Sequence, residues 1–176
     1  MSRKLLNSEL QRLTPQDFKT VEKTPIVLVL DNVRSQHNIG AAFRTADAFC
    51  LIKIYLCGIC AVPPSAEIHK AALGAEDTVD WRYEQECLTA VQALKQEGYT
   101  LIAVEQAEGS IQLHDFKPEQ DKKYALIFGN EVKGVQQQVV DCCDLVLEIP
   151  QWGTKHSLNV SVSIGIILWD MAAKLR

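Results

Sequence analysis

A stretch near the C-terminal end, Ile149 to Asp170 (I-P-Q-W-G-T-K-H-S-L-N-V-S-V-S-I-G-I-I-L-W-D), constrains the fold most. Just before it, Leu145–Ile149 alternates in the manner of a strand. Pro150 bars continued helix or central ladder and Gly153 loosens the backbone, so residues 150–156 are expected to form a loop. From about Ser157 apolar residues crowd together: Leu158, Val160, Val162, Ile164, Ile166, Ile167, Leu168, Trp169 and Met171. On a helix they cover more than one face, and such a helix must be covered on more than one side. With roughly 20 residues, several of them polar, it is a poor membrane span. The pattern therefore predicts a final helix packed on its own domain and on a partner subunit. Ser157 and Asn159 would point apart on a regular helix, about 200° around it, but can share a direction in an extended or capping conformation. Both residue types favour helix caps.

Upstream, apolar strands alternate with helices. Ile26–Leu30, behind Pro25, is a fully apolar run of the buried parallel kind. Further strands are expected at Lys53–Cys57, Asp80–Arg82, Thr100–Val104 and Tyr124–Phe128. Helices are expected at about Ile39–Phe49, Glu67–Ala72, Glu86–Gln96 and near Gln136–Cys142. The third of these turns Leu88, Val91 and Leu94 inward and stops at Gly98. This alternation predicts a single α/β domain over residues 24–176, with a mostly parallel sheet and helices on both faces. Residues 1–23 read as an N-terminal helical arm. Leu5, Leu6, Leu10 and Leu13 fall near helical spacing, and Thr14-Pro15-Gln16-Asp17 reads as a cap and restart.

No apolar run precedes residue 24, so no secretory signal is expected and the protein is placed in the cytoplasm. The six cysteines then read as reduced thiols. Cys57-Gly-Ile-Cys60 has a metal-type spacing, but no second such pair accompanies it and Cys142-Cys143 is a poor substitute, so no metal is expected. The net charge of −4 argues against a surface coated in positive charge, without excluding a local patch. On charge alone a small-molecule enzyme is favoured.

Ligands of open α/β sheets bind beyond the carboxyl ends of the strands. Three loops there carry unusual residue sets: 31–44, 129–134 and 150–159. None is a G-x-G-x-x-G or Walker loop, which leaves a nucleotide-dependent oxidoreductase without a motif. Together they resemble the three motifs of the SpoU (TrmH-type) RNA 2′-O-ribose methyltransferases of the SPOUT superfamily. The first is Asn38-Ile-Gly-Ala-Ala-Phe-Arg44-Thr-Ala. The second is Ile127-Phe-Gly-Asn-Glu131-Val-Lys-Gly134, and the third Ile149-Pro-Gln-Trp-Gly-Thr-Lys-His-Ser157-Leu-Asn159-Val-Ser-Val. The segment His69–Ala75 is similar to one that connects them. The resemblance runs from about residue 25 to 173, in the family's order.

That resemblance implies S-adenosylmethionine-dependent methyl transfer to a ribose 2′-hydroxyl of tRNA or rRNA. It also implies a SPOUT-type fold whose C-terminal segment forms a deep trefoil knot, although general topology argues against threading. It implies a homodimer with the site near the subunit interface. Gly129, Ile149 and Leu158 would bind the cofactor, with Glu105 close to another contacting position. Arg44, Asn38, Glu131, Ser157 and Asn159 would form the catalytic set. Arg44 matches the residue to which the family assigns removal of the hydroxyl proton. A guanidinium is ordinarily a permanent cation. Either a neighbour depresses its pKa, or it stays charged and holds an RNA phosphate that takes part in proton removal; a charged Arg44 oriented by Glu131 is the favoured account. Arg34, His37, Lys133, Lys155 and His156 gather at the same loops, where RNA would lie. The competing class is a catalytically silent dimeric module that binds RNA or S-adenosylmethionine.

Overall fold

The computed structural model describes residues 2–176; Met1, the first residue of the expected arm, lies outside the described residues. In chain order the elements are α1 (Pro15–Thr20), β1 (Thr24–Asp31), α2 (Gln36–Ala48), β2 (Leu51–Cys57), α3 (Ala66–Ala72), α4 (Ala75–Thr78), β3 (Trp81–Glu84) and α5 (Cys87–Gln96). Then follow β4 (Tyr99–Val104), β5 (Ile111–Gln112), β6 (Lys123–Phe128), α6 (Gln137–Val140), β7 (Leu145–Glu148) and α7 (Val160–Leu175). The strands form one sheet in the order β3-β2-β1-β6-β4-β7-β5, and every neighbouring pair runs parallel.

Alternate residues of the central strands feed two apolar layers. Ile26, Leu28 and Leu30 of β1, with Leu126 and Phe128 of β6, pack under α2, α3 and α7. Val27, Val29, Ala125 and Ile127 point the other way, against Val91 and Leu94 of α5 and Val139 of α6. Both faces of the middle strands are buried, which is why their sequences are continuous apolar runs.

Two expectations need correction. The leucines of residues 3–13 do not form a helix; there is a single 3-10 turn at Asn7–Glu9, and Leu5, Leu6, Leu10 and Leu13 are exposed. No apolar surface of the domain covers them, and an isolated helix this short is marginal in water. The cap at Thr14 does form, its hydroxyl accepting from Asp17 N–H and starting α1. The last helix begins at Val160, not Ser157; Ser157 and Leu158 belong to the loop. The two-residue strand β5 was not visible in the apolar pattern.

Helix α7 does present two apolar sides. Ile164, Ile167, Leu168 and Met171 are buried, while Val162, Ile166 and Trp169 form an exposed stripe, Trp169 being 61% accessible. Among the described residues no helix is long and apolar enough to cross a membrane, and no group of three or more His, Cys, Asp or Glu side chains could hold a metal. Cys60 is buried and donates to the carbonyl of Leu30 at 3.4 Å; burial pushes its thiol up to about 12.

Candidate active site

A cleft of about 710 Å³ opens at the carboxyl ends of β4, β6 and β7, walled by the loops that follow them and by the start of α7. The loop after β6 is closed on itself. Asn130 N–H donates to the Gly134 carbonyl (3.0 Å) and Gly134 N–H to that of Asn130 (2.8 Å). The closure is so tight that a Cβ on Gly129 would lie 2.0 Å from Gly134 C and Val135 N, so only glycine fits. The Asn130 side chain reinforces the turn. Its Oδ1 accepts from Val132 and Lys133 N–H, and its Nδ2 donates to the Asn32 carbonyl (2.7 Å).

This folding puts Glu131 at the loop tip, against the start of α2. Its carboxylate accepts from Arg34 N–H (3.2 Å), Ser35 N–H (3.3 Å) and Asn38 Nδ2 (3.2 Å). A carboxylate at a helix N-terminus is favourably placed against the unpaired amides there. Partial burial pushes the Glu131 carboxyl up, but its own N–H, Arg34 N–H, the Asn38 amide and Ser35 N–H outweigh this and hold it below the usual range. Asn38 is itself buried, at 6% exposure, and its Oδ1 accepts from Asn159 Nδ2 at 3.3 Å. Asn159 caps α7, its Oδ1 accepting from Ser161 N–H (2.9 Å) and the Ser161 hydroxyl (2.6 Å). One hydrogen-bonded chain, Asn159–Asn38–Glu131, thus joins all three loops.

Of the residues singled out in the sequence, Glu105, Gly129, Glu131, Lys133, Ile149, His156, Ser157, Leu158 and Asn159 line the cleft. Asn38 stands just behind it. Arg34, His37 and Lys155 are exposed and do not line the cleft. Nor does Arg44, which is exposed on α2 and makes no ion pair among the described residues. The expected Arg44–Glu131 pairing is therefore not formed: main-chain amides and Asn38 occupy the carboxylate instead.

Three residues were missed. Asn130 builds the loop, Gln106 donates from Nε2 to the His156 carbonyl (2.8 Å), and Asp31 accepts from Gln136 N–H (2.9 Å) and its Nε2 (2.8 Å). Asp31 alone left a signal, as a charged residue ending an apolar strand.

The model of the SpoU rRNA Methylase family matches residues 25–169. This chain belongs to that family. Among SpoU relatives, the 23S rRNA (guanosine-2'-O-)-methyltransferase RlmB of Neisseria meningitidis is 31% identical over 151 residues, 86% of this chain and 59% of its own. The tRNA (guanosine(18)-2'-O)-methyltransferase of Aquifex aeolicus is 28% identical over 172 residues, 94% of this chain and 76% of its own. The crystal structure of the AdoMet-bound rRNA methyltransferase from Sinorhizobium meliloti matches with a TM-score of 0.81 at 26% identity, covering 94% of this chain and 62% of that one. The chain spans less than two thirds of the length of the RlmB relatives it matches.

Proposed function

We propose that this SpoU domain is an S-adenosylmethionine-dependent methyltransferase acting on a ribose 2′-hydroxyl of tRNA or rRNA. The Asn159–Asn38–Glu131 chain carries this reading, because it ties one polar residue from each of the three motifs to the rim of one cleft. The cleft falls within the ~300–1,000 Å³ usual for small ligands. Its lining suits a cationic sulfonium, with the carboxylates of Glu105, Glu131 and Glu148 against the single lysine Lys133. When bound, the cofactor supplies an electrophilic methyl group that needs no metal.

The chain's own residues then position and deprotonate. Gly129, Ile149 and Leu158 would hold the cofactor through main-chain groups, and Glu105 lines the cleft beside Gly129. Ser157 and Asn159, with Asn38 behind them, fix the loop and the acceptor ribose by hydrogen bonds. Much of the barrier reduction comes from such alignment. Arg44, exposed and charged, holds an RNA phosphate that takes part in removing the hydroxyl proton. Arg34, His37, Lys133, Lys155 and His156, all exposed around the same end of the sheet, contact the RNA backbone.

Since Arg44 lies outside the cleft of its own chain, a second copy completes the site. The exposed stripe Val162, Ile166 and Trp169 on α7 is the surface through which a homodimer forms. The C-terminal segment is threaded as a trefoil knot, a reading supported by β7 lying between β4 and β5 while Gln106 of the β4–β5 loop grips His156. Residues 1–23 form an arm that contributes to RNA choice, and the protein works in the cytoplasm. The test is transfer of labelled methyl from S-adenosylmethionine to bulk tRNA and rRNA, with digestion to identify 2′-O-methylnucleosides. Cofactor binding with no transfer to either RNA would leave only a silent binding module.

A further inference from the structure

We infer that Glu105 and Asp31 are a two-sided clamp on the Gly129–Gly134 loop, and that Glu105 is a positioning residue acting through that loop rather than by touching the cofactor. The geometry begins with strand order. Strand β6 lies between β1 and β4, and Phe128 is level with Leu30 on one side and Val104 on the other. The next residues, Asp31 and Glu105, therefore flank Gly129. Each carboxylate takes one of two consecutive main-chain amides where the loop returns. Val135 N–H donates to Glu105 Oε2 at 3.1 Å, and Gln136 N–H to Asp31 Oδ2 at 2.9 Å.

Every oxygen of both carboxylates has a protein partner. The other Glu105 oxygen, Oε1, accepts from Gln106 N–H (2.9 Å). Asp31 Oδ1 accepts from Gln136 Nε2 and Asn32 Nδ2, both at 2.8 Å, and the residue is wholly buried. Glu105 also packs on the bare Cα of Gly134: a Cβ there would sit 2.2 Å from Oε2. A loop with glycine at both ends and an exposed tip has little of its own to hold it. Charged acceptors form roughly twice as strong a hydrogen bond as neutral ones. A glutamine in place of Glu105 keeps one acceptor oxygen, but its amide nitrogen would face a second N–H donor with nothing to accept. Released from the clamp, the loop loses its hold on Gly129 at the cleft wall and on Glu131 at the start of α2.

The test is amide hydrogen exchange on the ligand-free full chain, native against Glu105→Gln. In the variant, amides of residues 130–136 are expected to exchange at least about tenfold faster, with those of β6 unchanged, since loss of a hydrogen bond to a charged group is of that order. The kinetic arm rests on the methyltransferase reading: KM for S-adenosylmethionine rises about tenfold. Unchanged loop exchange would overturn the clamp, and a fall in cofactor affinity alongside it would make Glu105 a direct ligand. Should the native chain transfer no methyl to RNA, the methyltransferase reading fails while the exchange comparison still decides the clamp. Asp31→Asn provides the second side: it is expected to loosen the same amides, and loosening confined to other segments would remove Asp31 from the clamp.

Discussion

Asn159 lies 121 positions from Asn38 in sequence, and its Nδ2 donates to the Asn38 Oδ1 at 3.3 Å. Each amide is held from both ends, Asn159 by the cap of α7 and Asn38 by Glu131. Asn159→Ala is expected to lower stability by about 1–2 kcal/mol through loss of a helix cap and of a buried partner, measured by urea denaturation. Asn159→Asp keeps the cap but has no donor for Asn38. It should recover most of the stability and little of the methyl transfer, and native turnover in that variant would remove Asn159 from the site.

Arg44→Ala is expected to abolish methyl transfer while leaving affinity for S-adenosylmethionine within a few-fold, because Arg44 does not line the cleft. Calorimetry gives the affinity and labelled-methyl transfer the rate. Arg44→Lys should fail as well, since a point charge does not reproduce the planar fork. Near-normal turnover in either variant would end the assignment.

The Glu131 carboxyl is held below its ordinary value in the folded chain. A carboxylate depressed by folding adds stability above its unfolded pKa, and that contribution is lost as pH falls through the folded one. The melting-temperature gap between native protein and Glu131→Gln should therefore be constant from neutral pH down to about 5, and shrink below about 4.3. A gap that widens with acid would mean the carboxyl is raised instead, and the three donors would have to be withdrawn as its cause.

Trp169→Glu places a charge in the exposed stripe of α7 without touching the buried side of that helix. The native chain is expected to sediment as a dimer at micromolar concentration, little affected by moderate salt because apolar burial is weakly screened. The variant should sediment as a monomer and lose activity with every motif residue intact. A monomeric native chain in the same experiment would remove the interface.

The sheet was legible because β1 and β6 are buried on both faces and so spell themselves as apolar runs. Strand β5 was not, since two residues at an edge carry no periodicity. The crowding that announced α7 also misplaced its start: Leu158 looks helical in sequence, but the cap is set by Asn159. Pairing Arg44 with Glu131 matched opposite charges and overlooked the amides of Arg34 and Ser35, since main-chain donors exist at every position and sequence gives no sign of which are free. The same blindness hid how Asp31 and Glu105 hold the loop, through the main-chain amides of Gln136 and Val135.

The insertion of β7 between β4 and β5 has a consequence for synthesis on the ribosome. Until residues 145–148 emerge, β4 has an unpaired edge, of the sort that recruits other chains or chaperones. Until residues 149–163 follow, the cleft lacks Ile149, Ser157, Leu158 and Asn159 from its lining. On a nascent chain the cleft is therefore complete only after residues 149–163 have followed all seven strands of the sheet.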